Sequence, residues 1–111
     1  MPDDVGPLST ELLRVDVTSD RETVISVEGE LDGSDTAWFG AFVSKVLENG
    51  PKTIAIDAAG LSFMDSSGLR CLLLARAAAI EAGVAFQISA PSPVLRHMAE
   101  RTGLRGLLLD E

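Results

Sequence analysis

Several residue types that catalysis or disulfide stapling requires are scarce in this chain of 111 residues. The one cysteine, Cys71, permits no internal disulfide, which fits a reducing compartment, and we expect it to be buried in a helix. The one histidine, His97, has neither a metal-ligand set nor a nucleophile at a recognisable spacing, so we place it on a helix surface or at its boundary. We therefore expect that the protein is not an enzyme and that it has no catalytic residue, no metal site and no cofactor.

Positive charge is scarce as well. Nine Lys and Arg stand against 17 Asp and Glu, the formal net charge is −8, and no basic cluster occurs. An acidic surface repels nucleic acids and anionic membranes. The longest near-apolar stretch, residues 71–80, contains Arg76 and is too short to span a bilayer, and the acidic start of the chain is unlike a signal peptide. We expect no nucleic-acid partner, no membrane partner and a cytoplasmic location.

What the sequence does contain is an alternation of strand and helix patterns on the scale of one domain. Alternating apolar residues and helical spacing, with Gly and Pro between them, define the segments. Strands are predicted at residues 12–17, 23–27, 53–57 and 84–89, and helices at 36–48, 65–82 and 94–101. Residues 107–109 stay open between a last short strand and a turn.

The element order β-β-α-β-α-β-α predicts an α/β fold. Alternating strands and helices imply parallel strand pairs, and the short link between the first two strands implies an antiparallel hairpin. We expect a single domain at residues 9–111, preceded by a flexible N-terminus at residues 1–8. Its sheet should be mixed, mostly parallel and four- to five-stranded, with about three helices.

The most informative segment is residues 61–69, Leu-Ser-Phe-Met-Asp-Ser-Ser-Gly-Leu, between the third strand and the second helix. The first N–H groups of a helix lack internal partners, a serine there can accept from one of them, and Gly68 keeps bulk away. A hydroxyl at this position is approachable, and an anion added to it meets favourable donors. Taken alone, however, Asp-Ser-Ser-Gly is also an ordinary helix start.

These nine residues resemble the phosphorylation segment of anti-sigma factor antagonists, which are STAS-domain proteins. Further likeness lies in Gly-Glu-Leu-Asp at residues 29–32, in Thr36-Ala37, and in residues 89–94 with the positions that follow them. The likeness covers roughly residues 12–109. Many relatives have two residues between the aspartate of this motif and the threonine that starts the helix, whereas this chain has three, Gly33-Ser34-Asp35. We therefore expect this loop to have a partner specificity of its own.

The resemblance implies a STAS-like fold and phosphorylation of Ser66, the serine directly after the aspartate. It implies an anti-sigma factor that doubles as an ATP-dependent serine kinase, and a separate phosphoserine phosphatase. The unphosphorylated chain, a monomer when free, would bind the anti-sigma factor and release its sigma factor, and phosphorylation would abolish that binding. The alternative is a non-switching STAS scaffold, or an accessory subunit of a stress-signalling or lipid-transport complex.

Five residues near Ser66 are expected to contact the partner: Asp32, Asp65, Ser67, Gly68 and Met64. Each has a simpler interpretation as well. Asp32 is equally suited to be a turn residue that caps the first helix, Asp65 to be a solvated residue before a cap, and Ser67 to bond locally or to be a rival phosphate acceptor. Of Phe63 and Met64, one should point into the core and the other outward.

Overall fold

The computed structural model describes residues 8–9, 13–19 and 22–109. The expected flexible N-terminus therefore lies, apart from Leu8, outside the described residues. In the described part, the strands are β1 Leu8–Ser9, β2 Leu13–Ser19, β3 Thr23–Leu31, β4 Thr53–Met64 and β5 Ala85–Ser89. The helices are α1 Thr36–Glu48, α2 Ser66–Glu81, α3 Pro93–Thr102 and α4 Arg105–Leu108, and a 3-10 turn covers Gly33–Asp35.

The strands form one mixed sheet in the order β1-β2-β3-β4-β5. The β1–β2 and β2–β3 pairs are antiparallel, and the β3–β4 and β4–β5 pairs are parallel. The predicted α/β fold, the mixed sheet and the N-terminal hairpin are confirmed. The short strand β1, which the sequence patterns did not predict, adds the second antiparallel pair.

One face of the sheet carries the core. The register pairs Ile25 with Ile56 and Ile56 with Ile88, so these buried side chains form a row across three strands. Side chains from three helices join the same core: Phe39, Leu72 and Leu95. Glu28 and Gln87, which project from the opposite face, are exposed. The period-two pattern of the strands thus sets which face the helices cover.

Strands β3 and β4 run further than the sequence patterns predicted. Glycines and short polar residues suggested that β3 ends before Gly29 and that a loop follows Asp57, but both strands continue, to Leu31 and Met64. Register shifts between Ser26 and Glu28 and between Gly29 and Glu30, with Gly29 at φ 101°, absorb the irregularity without ending the pairing. As a result, Leu31 and Met64 are neighbours at the carboxyl ends of two parallel strands.

The last described segment is helical. Residues 107–109, left open between a strand and a turn, belong to α4 and the turn after it. The Leu108 N–H donates to the Leu104 carbonyl at 2.9 Å, and both Leu108 and Leu109 are buried. The segment therefore closes the core as a helical turn rather than adding a strand. Within the described residues, no helix is long and apolar enough to cross a membrane.

Candidate functional site

Two helix starts lie side by side at the carboxyl ends of β3 and β4. Because Leu31 pairs with Met64, the residues after them, Asp32 and Asp65, leave the sheet at the same edge. The 3-10 turn lies directly against the start of α2, since a Cβ built on Gly33 would be 3.4 Å from both Cβ and Oγ of Ser67. The parallel pairing thus joins two motifs more than thirty residues apart in sequence.

Asp65 caps helix α2. Its backbone is extended (φ −103°, ψ −174°), and its Oδ1 accepts a 2.8 Å hydrogen bond from the Gly68 N–H. The cap was expected to be a serine, and the structure corrects this: Ser66 is the first helical residue and Asp65 satisfies the free donor. Asp65 is therefore more than a solvated residue before a cap.

The hydroxyls of Ser66 and Ser67 are left available by this arrangement. Both residues are exposed, and in the described part of the chain neither hydroxyl forms a hydrogen bond with another residue. Local bonding of Ser67 to the backbone, one of its two interpretations, is absent here. Both serines therefore present an accessible hydroxyl to solvent.

Removing the Asp65 cap should destabilise the domain without touching the hydroxyl. We expect Asp65→Ala to lower the free energy of unfolding by about 1 kcal/mol, because the Gly68 N–H loses its acceptor. Asp65→Ser is the matched control, since serine also caps helices and should recover most of the loss. Urea denaturation followed by circular dichroism measures both; equal stability of the alanine and serine variants would contradict the cap assignment.

Gly68 lets α2 approach the strand ends closely. A Cβ at this position would overlap the backbone carbonyl oxygen of Leu31 and lie 2.7 Å from Met64 Cγ. Gly68 itself is buried. The start of α2 is therefore packed closely on the ends of β3 and β4. Contact of Gly68 with a partner stays a prediction.

Met64 and Phe63 divide as the strand alternation requires, one inward and one outward. Met64 is 3% exposed and belongs to the core, whereas Phe63 is 46% exposed. The expected partner contact of the Met64 side chain is therefore not supported by its position. The outward ring of Phe63, three residues before Ser66, was not among the predicted site residues. Alternation from the buried Leu61 would have placed it inward, and the register shift beside it in the β3–β4 pair decides otherwise.

Asp32 organises the turn beside the two serines. Its Oδ1 accepts from the Ser34 hydroxyl at 2.6 Å and from the Ser34 N–H at 2.9 Å. The Asp32 N–H in turn donates to Asp35 Oδ2 at 3.2 Å, and Asp35 is buried. Asp32 therefore caps the 3-10 turn that precedes α1, and not α1 itself as expected. Its contact with a partner stays a prediction. The hydroxyl of Ser34, followed by its N–H, lowers the pKa of Asp32 from its usual value.

The lowered pKa gives the Asp32 cap a defined pH dependence. A carboxyl whose pKa is lower in the folded state stabilises the fold above its unfolded pKa and loses that contribution as the pH falls through the folded value. Asp32→Asn keeps an acceptor oxygen and removes the charge. We expect it to be less stable than the native protein at neutral pH, and we expect the difference to shrink as the pH falls below the ordinary range of an aspartate carboxyl. Urea unfolding at neutral and at acidic pH tests this; a constant stability difference would contradict it.

The scarce cysteine and histidine take the positions expected of them. Cys71 is buried in α2, and this burial raises the pKa of its thiol. His97 is exposed on α3. Among the described residues, no group of three or more His, Cys, Asp and Glu side chains is arranged to hold a metal ion.

Comparison with known proteins places this geometry in a family. Residues 15–110 match the family model described as "Mlab, STAS domain". An anti-sigma factor antagonist from Mycobacterium paratuberculosis is 27% identical, over 91% of this chain and 87% of that one, with a TM-score of 0.73. No match was found among functionally curated proteins.

Two further solved structures are of the anti-sigma factor antagonist SpoIIAA. The unphosphorylated form is 28% identical over 86% of this chain and 85% of that one, with a TM-score of 0.70. The phosphorylated form, from Bacillus, is 26% identical over 87% and 88%, with a TM-score of 0.65. A sulfate transporter family protein from Wolinella succinogenes, 18% identical over 79% and 71% with a TM-score of 0.66, shares the fold. The chain therefore belongs to the STAS domain family and resembles its anti-sigma factor antagonists.

Proposed function

We propose that this chain is an anti-sigma factor antagonist controlled by phosphorylation of Ser66. The unphosphorylated form binds an anti-sigma factor that is also a serine kinase, and this binding releases the sigma factor. Phosphorylation of Ser66 abolishes the binding, and a phosphoserine phosphatase restores it. The observation that carries the proposal is the exposed Ser66 hydroxyl, free of hydrogen bonds within the described residues, at the first position of α2.

Ser66 can be modified reversibly because a different residue, Asp65, caps the helix. The helix cap is the carboxylate of Asp65, so a phosphate on Ser66 replaces none of the hydrogen bonds that hold the helix start. The modification adds a charge of about −1.5 to −2 at neutral pH. We therefore expect the fold to survive phosphorylation while the charge of the docking surface changes.

The surroundings of Ser66 suit a protein partner. Phe63 offers an exposed aromatic ring from the strand that leads into the site, and aromatic residues are enriched at the centres of protein interfaces. Asp32 and Asp65 cap the two adjacent turns at which the serines lie. A phosphate added among these groups must be desolvated when a partner docks, and it repels any acidic group that the partner brings.

Similarity to SpoIIAA supports the proposal that this chain is phosphorylated. That protein is described in both an unphosphorylated and a phosphorylated form, and it is 26% to 28% identical to this chain. The same similarity supports an anti-sigma factor as the binding partner. The kinase, the phosphatase, a cytoplasmic location and a monomeric free state are parts of the proposal.

Incubation with the cognate anti-sigma kinase and ATP, followed by peptide mass spectrometry, tests the acceptor. We expect one phosphate, on Ser66, in the native chain and in Ser67→Ala, and none in Ser66→Ala. Phosphorylation of Ser66→Ala would overturn the assignment. The chain without the kinase should not turn over ATP.

Affinity copurification distinguishes the alternative role. Recovery of a histidine-kinase-like anti-sigma factor supports the switch. Recovery of a transport ATPase, or of a large homo-oligomer of this chain, would instead support a non-switching STAS scaffold or accessory subunit.

A further inference from the structure

The segments that form the site contain one basic residue, Arg70. Residues 29–40 and 58–73 contain the carboxyl ends of β3 and β4, the 3-10 turn and the first turns of α1 and α2. Arg70 is the sole Lys or Arg among them. The same segments contain these carboxylates: Glu30, Asp32, Asp35 and Asp65. A phosphate on Ser66 would therefore enter an anionic environment in which Arg70 is the nearest cation along the chain.

Arg70 lies one helical turn after Ser66. Both residues belong to α2, and both are exposed. Residues four apart share a helix face, with their Cβ atoms about 6 Å from each other. Helical side chains lean toward the N-terminus, so a side chain as long as that of Arg70 can reach the first turn, where Ser66 lies.

The Arg70 guanidinium is not engaged elsewhere in the described part of the chain. It forms no hydrogen bond or ion pair there, whereas Arg105 pairs with Glu100 at 3.5 Å. The nearest carboxylate in sequence, Asp65, accepts from the Gly68 N–H. Arg70 is therefore available to a new anion on its own helix face.

We propose that Arg70 binds the phosphate of phosphorylated Ser66. The proposal rests on the phosphorylation of Ser66 proposed above. The planar guanidinium donates to phosphate oxygens through charge-assisted hydrogen bonds, and its fork geometry suits two at once. Phosphorylation then has two effects on the docking surface. It adds an anion at Ser66, and it engages the Arg70 guanidinium, which is then no longer available to a partner. Arg70 acts as a positioning residue for the modified side chain.

Titration of the phosphate by ³¹P NMR tests this directly. Phosphoserine is placed at position 66 during protein synthesis, so the measurement requires no kinase. A neighbouring guanidinium favours the dianion and lowers the second pKa of the phosphate. We expect Arg70→Gln to raise that pKa by about half a unit, and Arg70→Lys to raise it less because lysine retains the charge. Added salt should shrink the difference.

Arg76→Gln is the matched control. It removes the same charge from the same helix, about 15 Å along the axis from Ser66. We expect it to leave the phosphate pKa nearly unchanged. An unchanged pKa in Arg70→Gln would overturn the proposal, as would an equal shift in both variants, which would indicate an effect of net charge. Failure of the kinase to modify Ser66 would overturn the proposed function but would leave this titration readable.

Discussion

Ser66→Asp should bind the anti-sigma factor about a hundredfold more weakly than the native chain, equivalent to about 3 kcal/mol. The carboxylate places a permanent negative charge where the exposed hydroxyl lies, directly after Asp65 at the first position of α2. Docking must then desolvate an additional anion in a surface that is already acidic. Helix α2 should stay intact, because its cap belongs to Asp65.

Ser66→Asn separates charge from size. Asparagine has nearly the shape of aspartate and carries no charge, so we expect its affinity to lie close to that of the native protein and of Ser66→Ala. Calorimetric titration against the unmodified anti-sigma factor, in the absence of ATP, measures all four proteins. Native-like binding of Ser66→Asp would contradict the switch. An equal loss of affinity in Ser66→Asn and Ser66→Asp would show that binding depends on the size of this side chain and not on its charge.

Gly68→Ala should destabilise the domain by about 3 kcal/mol. The new Cβ would meet the Leu31 carbonyl oxygen, which belongs to the backbone of a paired strand and cannot rotate away, and would lie 2.7 Å from Met64 Cγ. Either α2 lifts from the strand ends or the sheet edge distorts, and each outcome exposes buried apolar surface.

Gly40→Ala is the matched control for this substitution. Gly40 lies in the middle of α1, is exposed, and has nothing within 4 Å of a Cβ built on it. The same chemical change should therefore stabilise the domain by about 0.5 to 1 kcal/mol, because alanine loses less backbone entropy in a helix. Urea denaturation of both variants gives the comparison. A loss of similar size at both positions would contradict the close approach of α2 to β3.

Much of the site was predictable because its determinants are local. The start of α2 next to Ser66 follows from a short polar sequence before an apolar helical pattern, and the structure has that helix begin at Ser66. The identity of the cap was not predictable in the same way, since both aspartate and serine cap helices well. The backbone decides between them: extended at Asp65 and helical from Ser66 onward.

The lengths of β3 and β4 show where local patterns are insufficient. Gly29 and Gly60 are residues that usually end strands, yet pairing between the two strands carries both through to Leu31 and Met64. Cross-strand hydrogen bonds and burial outweigh the weak intrinsic preferences of single residues. The sequence patterns could not contain this information, because the partner strand lies about thirty residues away.

Periodicity and capping chemistry along the chain were thus enough to establish the order of the elements from β2 to α3 and a serine at the start of a helix. The joining of that serine to the Asp32 turn, and the burial of Met64 and Gly68 beneath it, depend on the parallel register that sets Leu31 beside Met64. Local patterns act over a few residues, whereas register arises from the packing of a whole sheet against its helices.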